Sequence, residues 1–80
     1  MTNFFPGIEK TPGVMGGEAF IVGTRIPVWL LVQIRQLGSD DETIFHAYPN
    51  LRIDDLTQAW KYYLAHKEEI ERLIVEHESS

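Results

Sequence analysis

Cysteine is absent from this 80-residue chain, which excludes disulfide bridges and thiolate metal sites. No apolar run approaches the roughly 18 residues of a membrane span. The opening residues Met1-Thr2-Asn3-Phe4-Phe5-Pro6 have neither the basic start nor the long apolar block of a secretory signal. The expectation is a cytoplasmic protein that makes no membrane contact. Histidine is scarce, and His46, His66 and His77 show no metal-ligand spacing such as His-Glu-x-x-His. There is no Gly-x-Ser-x-Gly elbow. The glycine turns are not followed by the Gly-Lys-Ser/Thr of a phosphate loop. Nothing here builds an enzyme, and no cofactor or metal is expected. Basic residues are also few, seven against twelve acids, for a net charge of −5.

That charge is uneven. Residues 1–38 carry Lys10, Arg25 and Arg35 against Glu9 and Glu18, a net of +1, which leaves −6 for residues 39–80. An acidic half repels polyphosphates at long range. The length allows one small domain whose lone core is marginal, so a partner is a natural expectation.

Local signals divide the chain into a tail at 1–6, a β arm at 7–26, a three-helix core at 27–65 and a C-terminal helix at 66–78. Thr11-Pro12-Gly13 and Met15-Gly16-Gly17 read as turns, with strands from Ile8 to Lys10 and from Ala19 to Val22. Pro27 suits the first turn of a helix. Helix 1 then runs to about Leu37 and stops at Gly38. Leu30, Leu31, Ile34 and Leu37 share one face, with Val28, Trp29 and Val32 on the other, so helix 1 reads as sandwiched. Ser39 with Glu42 forms a capping box for helix 2, which buries Ile44, Phe45 and Tyr48 and ends at Pro49-Asn50. Helix 3 starts near Ile53 or Asp54, with Ile53, Leu56, Ala59, Trp60, Tyr63 and Leu64 as its apolar stripe. The last helix places Ile70, Leu73, Ile74 and His77 on one face and pairs Glu68 with Arg72. Whether it continues helix 3 or breaks near His66 is open from sequence.

Several blocks together resemble a known family: Thr11-Pro12-Gly13-Val14, Gly16-Gly17, Gly23-Thr24-Arg25-Ile26-Pro27-Val28, His46-Ala47-Tyr48-Pro49, and Tyr62-Tyr63-Leu64-Ala65-His66-Lys67-Glu68-Glu69-Ile70. The chain resembles a small bacterial and archaeal family first catalogued as domain of unknown function 433, whose members look like antitoxins of the VapB type. The resemblance covers roughly residues 8–72. It implies a mainly α fold: an N-terminal β-hairpin arm, a homeodomain-like helix-turn-helix core and a C-terminal amphipathic helix. It also implies a PIN-like ribonuclease toxin as partner, and repression of the shared promoter. Met15 departs from a common cysteine. Arg52 stands where many relatives have a threonine that would cap helix 3, a cap worth about 1 kcal/mol.

On a helix-turn-helix, helix 3 would enter the major groove. Its outward candidates are Gln58 for adenine, Lys61 for guanine or phosphate, Tyr62, and Arg52 beside the helix start. Asp54 and Asp55 oppose phosphate at that end. An ordinary solvated surface is an equal reading of these side chains.

Protein contact has other candidates. Burying Ile70, Leu73 and Ile74 gives roughly 5–8 kcal/mol, against about 12–24 kcal/mol to order a dozen residues before hydrogen bonds are counted. The last helix is therefore expected to fray unless a toxin, a second copy or helix 1 covers it. Its glutamates, Glu68, Glu69, Glu71, Glu76 and Glu78, suit a basic ribonuclease. Trp29 and Val32 are candidates for a homodimer contact. Arg25 either braces the strand-to-helix turn through carbonyls or Glu18, or reaches a carboxylate or phosphate outside the chain. The leading expectation is an antitoxin. The alternatives are a homodimeric helix-turn-helix regulator without a toxin and an acidic interaction adaptor.

Overall fold

The arm meets the first helix at a turn built by Gly23-Thr24-Arg25-Ile26-Pro27. Gly23 has φ +83°, a left-handed conformation that glycine adopts without a side-chain clash. The Thr24 hydroxyl donates to the Ile21 carbonyl at 2.8 Å and accepts from the Ile26 N–H at 3.1 Å. The turn thus satisfies its own polar groups and delivers Pro27 as the N-cap of the helix. The Val28 N–H donates back to the Ala19 carbonyl at 3.0 Å, which fixes the helix start to the arm.

The computed structural model describes residues 5–79. Residues 1–4 of the expected 1–6 tail lie outside the described residues. Strands β1 (Ile8–Glu9) and β2 (Phe20–Ile21) pair antiparallel, with Ile8 opposite Ile21 and Glu9 opposite Phe20. Helices α1 (Val28–Gln36), α2 (Asp41–Ala47), α3 (Ile53–Ala65) and α4 (Lys67–Ser79) follow. Among the described residues the architecture is mainly helical, with four α-helices and a two-stranded N-terminal sheet. So small a sheet has little stability alone; it is held by burying Ile8, Phe20 and Ile21. Helices α3 and α4 both pack on α1, and β1 packs on α3.

The helix starts differ in detail from expectation. Asp40, not Ser39, caps α2: its carboxylate accepts from the Thr43 N–H at 2.9 Å and the Thr43 hydroxyl at 2.8 Å. These bonds, the backbone one first, hold the Asp40 carboxyl below its ordinary pKa. Arg52 is the N-cap of α3, and Asp55 accepts from the Arg52 N–H at 2.9 Å. Only that half of a capping box is chemically available, because a guanidinium has no acceptor to offer in return.

The core gathers Val28, Leu31 and Val32 of α1, Ile44, Leu51, then Leu56, Ala59 and Tyr62 of α3, and Ile70 and Ile74 of α4. Three expectations are corrected. In α1, Val28, Leu31 and Val32 face the core, while Leu37 is exposed. In α3 the buried side runs Leu56, Ala59, Tyr62, so the stripe is rotated: Ile53 is 74% exposed and Leu64 71% exposed. In α4, Arg72 lies 4.0 Å from Glu76 rather than pairing with Glu68. The open question at His66 is settled as a break, with His66 at φ −128°, ψ 45° between α3 and α4.

Candidate protein-interaction face

Two polar seams fasten α4 to the rest of the molecule. The first joins the arm, α1 and the far end of α4. Glu18 accepts from Trp29 Nε1 at 2.9 Å and lies 3.0 Å from His77 Nε2. The Trp29 and His77 rings stack with centroids 3.9 Å apart and planes 12° apart. The second seam joins the near end of α4 to α3 and β1. The Tyr62 hydroxyl donates to Glu69 at 2.9 Å, and Lys10 pairs with the other Glu69 oxygen at 3.1 Å. His66 stacks on Tyr62 at 4.3 Å, and Phe5 meets Tyr62 edge-on at 5.2 Å. Burial, and then the bond to Glu69, push the Tyr62 phenol well above its ordinary pKa.

These seams, with Ile70 and Ile74 beneath them, fix which side of α4 faces out. Glu68, Glu71, Val75 and Glu78 follow at steps of three, four and three, which places them on one side of a helix. All four are exposed. Glu71 accepts from the Tyr63 hydroxyl at 2.8 Å, and Glu78 from Gln33 Nε2 at 3.4 Å. Val75 is an exposed apolar side chain, 59% accessible, between carboxylates. The result is an acidic ridge with an apolar centre.

The expected site residues fall into distinct places. Val32, Ile70 and Ile74 are core residues, and their side chains have no surface left for a partner. Of the three covers expected for the apolar side of α4, helix α1 of the same chain is the one observed. Trp29 and Leu73 are half-buried at the seams. Tyr62, expected to point outward, is 6% exposed and committed to Glu69. Gln58 is half-buried, with its Oε1 buried and without a hydrogen-bond partner. Arg52 and Lys61 are exposed. The four DNA candidates therefore do not form one outward basic surface.

Glu18 is committed to Trp29 and His77, so of the alternatives open to Arg25 the brace through Glu18 does not form. Arg25 is exposed and has no acidic partner among the described residues. It lines an open groove of about 470 Å³ with Val14, Met15, Phe20, Gly23 and Thr24. Among the described residues, no group of three His, Cys, Asp or Glu could hold a metal ion, and no helix is long and apolar enough to cross a membrane. The partners of Arg35 were not legible in the sequence. Arg35 pairs with Asp41 and lies over the Trp60 ring, 5.6 Å from its centroid, tying α1, α2 and α3 together.

The model of a protein family of unknown function, DUF433, matches residues 8–63. A crystal structure of a DUF433 member protein from Anabaena variabilis is 49% identical, with a TM-score of 0.84, covering 86% of this chain and 68% of that one. No curated protein matches.

Proposed function

The chain belongs to the DUF433 family, and from that premise we propose that it is an antitoxin that binds and neutralises a PIN-like ribonuclease through the acidic ridge of α4. The observation that carries the proposal is the ridge itself, Glu68, Glu71, Val75 and Glu78, exposed on a helix whose other side is locked into the core. A ribonuclease needs a basic surface to hold RNA, and a rigid row of carboxylates complements such a surface. Val75 adds the apolar anchor that a helix laid in a groove requires. Because α4 is already folded, binding does not have to supply its ordering entropy, which favours affinity.

The homeodomain-like arrangement of α1 to α3 belongs to the same proposal. In its favour, only five residues separate α2 from α3, close to the 3–4 of a helix-turn-helix. Promoter binding has less behind it, since Tyr62 is buried and Asp54 and Asp55 occupy the first turn of α3. Co-expression with the protein encoded by the adjacent reading frame tests the main proposal. The expected outcome is a co-purifying ribonuclease and rescue of the growth arrest that it causes alone. No co-purification and no rescue would reject the antitoxin reading.

A further inference from the structure

The outward side of α3 carries a stripe whose apolar ends the fold leaves uncovered, with Trp60 between them half-buried beneath the Arg35 guanidinium. Ile53, Thr57, Trp60 and Leu64 follow at steps of four, three and four, the spacing of a coiled-coil seam. Ile53 and Leu64, at its ends, are 74% and 71% exposed. Thr57 is exposed and Trp60 half-buried. A solvated helix face ordinarily carries polar residues here. We propose that this stripe is a self-association face, occupied by α3 of a second copy lying antiparallel across a two-fold axis.

The stripe is self-complementary in that arrangement. With the axis between Gln58 and Ala59, Ile53 meets Leu64 of the other copy and Thr57 meets its Trp60; the symmetry repeats both contacts. A two-fold axis brings each flank of the helix against the same flank of its mate. On one flank stand Asp54 and Lys61, both exposed and neither paired within the described residues. Across the axis, each Asp54 lies about 3 Å along the helix axis from the level of the other copy's Lys61, given 1.5 Å of rise per residue. Two opposite-charge pairs form, although the chain as a whole carries −5. This charge complementarity selects a second copy in antiparallel register over an unrelated occupant. Helix α4 contacts α3 from another side, through Tyr62 and Tyr63. A 13-residue helix is about 20 Å long, too short to supply alone the roughly 800 Å² per partner of a standard interface. The dimer is accordingly weak and dependent on concentration.

Sedimentation equilibrium of the full chain, from micromolar to millimolar, tests this. The mass is expected to rise from 9.2 kDa toward twice that value. Lys61→Glu should weaken association about tenfold, by loss of two surface pairs, and Asp54→Lys in the same chain should restore it. Mass constant at 9.2 kDa throughout, or association indifferent to both charge changes, overturns the proposal. Cysteine trapping gives an independent reading, since the native chain has none. Ile53→Cys combined with Leu64→Cys should give a covalent dimer on oxidation, because the two positions are about 17 Å apart within one chain, beyond disulfide reach. Equal cross-linking by either single variant would mean a parallel contact and would overturn the antiparallel register.

Discussion

Replacing Ile70 by alanine removes a side chain that is fully buried between α4 and the rest of the core. Large-to-small changes at such positions cost about 2–5 kcal/mol, from lost transfer energy plus the cavity left behind. A domain of this length has about 4–12 kcal/mol of stability in all, so Ile70→Ala should consume a large share of it. Urea unfolding read by tryptophan fluorescence measures the loss, because Trp29 and Trp60 report on α1 and α3, while far-UV circular dichroism reports on all four helices. The two probes should move together, as for one cooperative unit. Val75→Ala on the outer side is the control: that side chain is 59% exposed, and its removal should change stability by no more than about 0.5 kcal/mol. A cost below about 1 kcal/mol for Ile70→Ala, or a dichroism transition preceding the fluorescence one, would refute the reasoning. Helix α4 would then be an appendage and not part of the core.

Arg52→Thr should stabilise the chain by about 1 kcal/mol, because a threonine hydroxyl at the α3 N-cap can accept the hydrogen bond that a guanidinium cannot; thermal melts of the two proteins check it. The Tyr62 phenol has a folded pKa raised above its unfolded value of 10.0, mainly by burial and then by Glu69. Folding therefore holds the phenolic proton, and this contribution is complete below pH 10 and lost as pH rises above it, by up to about 1.4 kcal/mol per pH unit. Urea midpoints from pH 9 to 11 should fall less steeply in Tyr62→Phe than in the native chain, and equal slopes would contradict the assignment.

Much of the fold was legible because its punctuation is local. Pro27, Gly38 and Pro49 mark ends that the helices respect to within a residue or two, and the glycine turns separate the two strands. The rotation of α3 was not legible, because Tyr62 and Tyr63 are neighbours and either can begin a buried stripe. The choice falls to Tyr62, which donates to Glu69 on the next helix and meets Phe5 at the other end of the chain. The break at His66 carries no glycine or proline. The candidate face was half visible. Its glutamates stood out in the sequence, but which of them point outward depends on Glu18, Trp29 and His77, the last two bound to a residue 11 and 59 positions away. No local pattern announces contacts at that separation.

The acidic ridge is tested most directly by reversing it. A chain carrying Glu68→Lys, Glu71→Lys and Glu78→Lys keeps Ile70 and Ile74 in place and should retain its helical dichroism. Co-expressed with the adjacent reading frame, it should fail to co-purify a ribonuclease that the native chain captures, and growth arrest should return. Capture undiminished by the three reversals, or no capture by the native chain, would contradict the account.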